Sequence, residues 1–111
     1  MSDCIFCKII NNEIPSKKIY EDVNFLAFHD AFPKADKHLL VIPKKHIESL
    51  DKLTESDSAL MGELTLLLPK VAKMAGLETG FRTIVNTGYG GGQEVFHIHY
   101  HILGGKKLAG F

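Results

Sequence analysis

Two periods of apolar and polar residues run along this chain, and the changes from one to the other outline its elements. Ile5, Phe6, Ile9 and Ile10 recur at helical spacing, so Ile5 to Asn12 is predicted as a short amphipathic helix, ended by Pro15. Ile19 to Glu21 and Phe25 to His29 are short runs rich in β-branched and aromatic residues. Glu21-Asp22 and Asn24 supply turn chemistry between them, which predicts a hairpin. His38 to Ile42 reads as a third strand stopped at Pro43, whose nitrogen has no hydrogen to give to a ladder.

The period then lengthens. Leu60, Leu64, Leu67, Val71 and Met74 or Ala75 fall three to four residues apart, Thr54 with Asp57 resembles a capping box, and Gly76 follows as a C-cap. Pro69 interrupts this pattern, which predicts a kink or a helix in two pieces near Thr65. Phe81 to Val85 and Val95 to Leu103 read as two further strands, joined by a glycine-rich loop from Asn86 to Gln93. A short helix, three strands, a long helix and two strands make an α+β fold with an antiparallel sheet.

Composition limits the partners. The 111 residues, 45% of them hydrophobic, suit one domain over residues 1–111 with a single core. Lysine plus arginine equals aspartate plus glutamate at 13 each, so no basic field exists to hold nucleic acid, and small molecules are the expected partners. No segment has the length of a membrane span, and a cytoplasmic location is expected. Two cysteines are too few for a disulfide framework, which leaves free thiols or metal ligands.

The chemistry concentrates in HIHYHIL, residues 97–103, which holds three of the six histidines. On a strand His97, His99 and His101 share one face, roughly 6 to 7 Å apart, and Ile98, Tyr100 and Ile102 share the core face. Rings this close depress one another's pKa, so at neutral pH at least one is neutral with a free ring nitrogen. Such a ring serves a metal, with two of the three as His-x-His ligands, or acts as a nucleophile. Asn86, the Gly90-Gly91-Gly92 run and Gln93 offer amide and backbone donors for an anion-binding concavity beside the rings. That neighbour favours attack on phosphorus, although no Gly-Lys-Ser/Thr of a P-loop follows.

HIHYHIL matches the alternating signature of the histidine triad (HIT) family. Gly104-Gly105 after it, Gly-Gly-Gln before it, VIPKKHI at 41–47 and IFCKII at 5–10 resemble the Hint branch. The resemblance implies a homodimer whose two five-stranded sheets join into ten strands, and hydrolysis of purine nucleoside phosphoramidates at the α-phosphorus. It makes His99 the nucleophile that carries a nucleotidyl intermediate, with no cofactor needed for catalysis. His101, Asn86 and Gln93 then stabilise phosphoryl charge, and His38 completes the network behind the nucleophile. Ile5, Phe6, Ile9, Phe28 and Leu40 form the purine slot, Asp30 accepts from the ribose, and Ala31, Gly92, Glu94 and Val95 complete the nucleotide contacts. Glu94 stands where animal Hint proteins tend to carry serine, so it repels phosphate or pairs with a cationic leaving group. Without the resemblance the five apolar residues are ordinary core and Asp30 a turn residue; His29 is read as structural.

Cys4-x-x-Cys7 is compatible with a redox pair, two small buried hydrophobes or half of a zinc site. The βαβ setting of a thioredoxin is missing, which disfavours the first. Some bacterial HIT proteins pair such cysteines with a histidine after the VIP motif and the first triad histidine. This resemblance implies structural zinc on Cys4, Cys7, His46 and His97, so that His97 cannot protonate the leaving amine. The competing functions are a dinucleoside polyphosphate hydrolase, a nucleotide-binding regulatory module with incidental catalysis, and a zinc hydrolase using the triad directly.

Overall fold

The computed structural model describes residues 3–110, so residues 1, 2 and 111 of the expected domain lie outside the described residues. Its elements are α1 (Ile5–Ile10), β1 (Lys18–Glu21), β2 (Phe25–His29), β3 (Lys37–Pro43), α2 (Ser58–Met74), β4 (Arg82–Ile84) and β5 (Tyr100–Gly104). The strands form one five-stranded sheet in the order β1-β2-β3-β5-β4, and each neighbour is antiparallel, the one feature of the sheet that the element order predicts. The β1–β2 hairpin closes on Asp22, whose Oδ1 accepts from the backbone N–H groups of Asn24 and Phe25, both at 2.8 Å.

Both sheet faces are covered, which explains why six of the seven residues of β3 are buried. Phe25, Ala27, Leu39, Val41 and Ile102 pack on one face against Leu64, Leu67, Leu68, Val71 and Ala72 of α2. Leu26, Phe28, Leu40 and Ile42 point the other way, against Phe6 and Ile9 of α1. The period-two alternation along β2 and β3 thus feeds two cores at once. No helix among the described residues is long and apolar enough to cross a membrane.

The long helix begins as predicted. The Asp57 carboxylate accepts from the Thr54 backbone N–H at 3.0 Å and pairs with Lys45 at 2.7 Å, and a 3₁₀ turn over Glu55–Asp57 leads into α2. It ends in a Schellman motif: Leu77 N–H donates to Ala72 C=O at 2.9 Å and Gly76 N–H to Lys73 C=O at 3.0 Å, with Gly76 at φ +84°. The expectation of two pieces fails, for α2 runs unbroken through Pro69. Pro69 and Thr65 both face outward, which leaves the Thr65 carbonyl, deprived of its helical donor by the proline, on the solvent side of the helix.

The predicted last strand is also corrected. It spans Tyr100–Gly104 rather than Val95 to Leu103, and residues 95–97 bend. The ladder with β3 ends at the Val41–Tyr100 pair, and Ile98 N–H turns instead to Ile47 C=O at 2.6 Å. His97 and His99 therefore precede the ladder and only His101 lies within it. After β5, Gly105 adopts φ +116° against the Asp36 side chain, where a Cβ has no room.

The packing of α2 on the sheet yields a measurable expectation. Leu64 is fully buried and Val23 is 83% exposed. Leu64→Ala should lower unfolding free energy by about 2–5 kcal/mol, and Val23→Ala should stay within about 0.5 kcal/mol of wild type, both read from urea midpoints. Equal effects would contradict the assignment of α2 as the main core helix.

Candidate active site

A cavity of about 630 Å³ opens on the α1 face of the sheet. Ile5, Phe6 and Ile9 of α1 form one wall, and Phe28 of β2, Leu40 of β3 and Val95 complete the apolar lining. Asp30, Ala31, His38, Asn86, Gly92, Glu94, His99 and His101 line the remainder, so the candidate nucleotide residues converge with one exception, Gln93. Pro15, Ser16, His29, Phe32, Lys34, Ile84 and Leu103 also line the cavity and were not singled out by the sequence. His29, read as structural, carries a recognisable signal in hindsight, because it adjoins Asp30 at the end of β2. Ser16 carries none; its Oγ is the one buried side-chain polar atom without a partner among the described residues.

His99 has its tautomer fixed by its neighbour. Its Nδ1 lies 2.8 Å from the His97 carbonyl oxygen. A carbonyl only accepts, so Nδ1 carries the hydrogen and donates it. Burial holds the ring's pKa below the ordinary histidine value, partly offset by that bond. A neutral ring protonated on Nδ1 leaves its lone pair on Nε2. The Phe6 and His99 rings meet in a T-shaped contact at 5.1 Å between centroids, which restricts rotation of the histidine.

His101 and His38 form a relay whose direction follows from its outer end. Lys34 backbone N–H donates to His38 Nδ1 at 3.0 Å, so that nitrogen bears no hydrogen. Burial lowers the pKa of His38, leaving a neutral ring protonated on Nε2, which lies 2.8 Å from His101 Nδ1. His101 accepts there and carries its own hydrogen on Nε2. Its pKa is held down to about 4, by burial first and then by His99 and His38. Asp30 stands 3.4 Å from His38 Nε2, and its other carboxylate oxygen accepts from Phe32 N–H at 2.8 Å, the turn role that its sequence context suggests.

The glycine loop departs from the expected anion-binding concavity. Gly88 N–H donates to Gln93 Oε1 at 2.8 Å, and the N–H groups of Gly91, Gly92 and Gln93 donate to carbonyls of Gly88 and Tyr89. These amides close the loop on itself. Gln93 is buried, with its Nε2 donating to the Glu48 and Val95 carbonyls at 2.7 and 3.0 Å. It braces the loop instead of facing the cavity. Asn86 lines the cavity but gives one amide hydrogen to Gly91 C=O at 2.9 Å.

His97 belongs to a different cluster. Its ring is fully buried, and Nε2 donates to Pro43 C=O at 2.8 Å. The lone pair on Nδ1 therefore faces Cys4 Sγ at 3.4 Å, Cys7 Sγ at 3.6 Å and His46 Nδ1 at 3.1 Å, and Cys7 Sγ lies 3.4 Å from His46 Nδ1. A tetrahedral ion bound at about 2.0 Å from nitrogen and about 2.3 Å from sulfur has ligand edges of about 3.3 to 3.8 Å, close to these separations. Burial and the adjacent Cys4 push the Cys7 thiol up to about 11. His97 and His99 are both buried, because α1 folds over them.

Residues 11–108 match the HIT domain family. Protein HitA of Neisseria gonorrhoeae is 50% identical over 104 residues, which cover 94% of this chain and 97% of HitA. The crystal structure of a histidine triad protein from Clostridium difficile is 51% identical with a TM-score of 0.95, covering 100% of this chain and 97% of that one. The structure of a HIT family hydrolase from Legionella pneumophila is 46% identical with a TM-score of 0.93, covering 96% of each chain. Sequence and fold agree, and the chain belongs to the HIT domain family.

Proposed function

We propose that the protein is a hydrolase that cleaves purine nucleoside phosphoramidates at the α-phosphorus through a nucleotidyl-His99 intermediate. The observation that carries this reading is the bond from His99 Nδ1–H to the His97 carbonyl, which leaves a neutral ring with its Nε2 lone pair free at neutral pH. The likeness to the Legionella HIT family hydrolase supports the reaction class. His99 Nε2 attacks phosphorus, the phosphorus–nitrogen bond to the amine breaks, and the amine leaves with a proton taken from solvent, to which the water used in the next step returns one. Water then attacks phosphorus, the bond to Nε2 breaks, and a nucleoside monophosphate departs.

The surrounding residues divide the remaining work. His101 Nε2–H, oriented by His38, donates to the phosphoryl oxygen as negative charge grows there, and the second Asn86 amide hydrogen adds another donor. Gln93 acts indirectly, by holding the loop that carries Gly92. Ile5, Phe6, Ile9, Phe28 and Leu40 take the purine, and Asp30 accepts from the ribose. Glu94 and Lys34, of opposite charge, both border the cavity and bias the choice of leaving group. His97 spends both ring nitrogens elsewhere, so it does not supply the amine's proton. The His99 ring belongs to neither metal-compatible cluster among the described residues, whereas His97 belongs to the cysteine cluster and His101 to a second one with Asp30 and His38.

The same reading assigns structural zinc to Cys4, Cys7, His46 and His97, whose ligand atoms lie within 4.8 Å of one another. It also includes a homodimer that joins the sheets, since β4 is an edge strand and edges invite pairing.

Three outcomes are expected. His99→Asn should lower kcat/KM on an adenosine phosphoramidate about a thousandfold or more while AMP affinity changes only a few-fold, and a nucleotidyl adduct on residue 99 should appear in quenched wild-type turnover. Undiminished turnover by the variant would reject the mechanism. Protonation of His99 or His101 removes the lone pair or reverses the relay, so activity should fall toward acid. Both pKa values lie below the usual 6.5 and that of His101 near 4, so the acid limb of kcat/KM should lie below pH 6.5. A midpoint at or above 6.5 would contradict the neutral-ring assignment. Metal analysis of gently purified protein should give one zinc per chain, lost in Cys4→Ser; wild type free of zinc even after reconstitution would remove the metal from the scheme.

A further inference from the structure

Helix α1 belongs to two sites at once. Cys4 and Cys7 flank Phe6, so the turn of chain that presents the two sulfurs to His46 and His97 also presents Ile5, Phe6 and Ile9 to the nucleotide cavity. The Phe6 ring touches both histidines edge-on, His97 at 6.0 Å and His99 at 5.1 Å between centroids, and meets Phe28 at 5.6 Å. His97 repeats the double membership through its own atoms: its ring faces the sulfurs, and its carbonyl accepts from the His99 Nδ1–H.

We propose that metal binding at Cys4, Cys7, His46 and His97 is thermodynamically coupled to nucleotide binding in the cavity, with α1 and Phe6 as the positioning elements that join them. The inference rests on the zinc and nucleotide assignments made above and adds the linkage between them. A six-residue helix is too short to hold itself together in water, so its order comes from what it is fastened to. One fastening is apolar, Phe6 and Ile9 against Leu26, Phe28, Leu40 and Ile42. The other is the sulfur end, where the Cys4 side chain also accepts from Cys7 N–H at 3.3 Å. An ion on the two sulfurs ties that end to His46 and His97, which keeps the cavity wall closed and Phe6 seated on the nucleophile. Without the ion α1 frays more readily, and a nucleotide must order it as it binds. Each ligand therefore lowers the ordering cost met by the other, and the factor must be equal in both directions.

The test uses the whole protein, zinc-loaded and then stripped with a chelator. AMP affinity is measured by calorimetry on both forms, and zinc affinity by chelator competition with and without saturating AMP. Stripping should weaken AMP binding by about fivefold or more, and AMP should tighten zinc binding by the same factor. Phe6→Leu should keep one zinc per chain yet shrink that factor. Hydrogen exchange should show loss of protection on stripping confined to residues 5–11, with AMP restoring part of it. Equal AMP affinity in both forms overturns the coupling and leaves both assignments standing. Failure of the reconstituted protein to bind zinc overturns it together with the metal assignment, and failure of either form to bind AMP overturns it together with the nucleotide assignment. Loss of protection across β3 and β5 would mean that the ion holds the whole fold, and would also refute a linkage through α1.

Discussion

One hydrogen bond orders this structure around itself: the Nδ1–H of His99 given to the carbonyl of the residue two before it. It forms only because residues 95–97 bend away from the sheet, which releases the His97 carbonyl from ladder duty. That bend in turn depends on Pro43, the last residue of β3. Pro43 pairs with Phe25 on its other side, and its carbonyl is left to take the Nε2–H of His97. A backbone defect at the end of a strand is thereby converted into a defined tautomer at each of two rings. Burial reinforces the choice by keeping both rings neutral.

Three identical letters thus acquire three separate environments. The ring of His97 is turned into the cysteine cluster, His99 borders the cavity beneath an aromatic edge, and His101 ends a relay that starts at the Lys34 amide. None of these differences resides in the side chains themselves. They come from what each ring's second nitrogen meets, which is the usual way a protein assigns work to histidine.

The fold was largely legible because its signals are local. Alternation in β2 and β3, the Asp22 turn, the Thr54–Asp57 box and Gly76 each depend on residues within a few positions of one another. Pro69 misled because intrinsic preference says nothing of which side of a helix meets water. The extent of the last strand misled because alternation continues through Val95 to His99 after the pairing with β3 has stopped at Val41–Tyr100. At the site, the cavity-lining residues were legible through motif resemblance, whereas the position of Gln93 outside the cavity was not, for a physical reason. An amide side chain beside glycines satisfies loop carbonyls as readily as a ligand, and only the folded loop decides which. Ser16, His29 and Lys34 reach the cavity through loop paths and strand ends that no period encodes.

The cysteine–histidine cluster has a consequence for how the molecule is made. Cys4 meets His97 across 93 positions of sequence, and His46 meets it across 51. During translation both sulfurs leave the ribosome long before the ring they face, so this corner of the protein is assembled late, after the intervening sheet has brought distant segments together. A nascent chain halted before residue 97 lacks the last of the four side chains, and the wall that α1 builds has at that stage nothing but apolar contact to keep it in place.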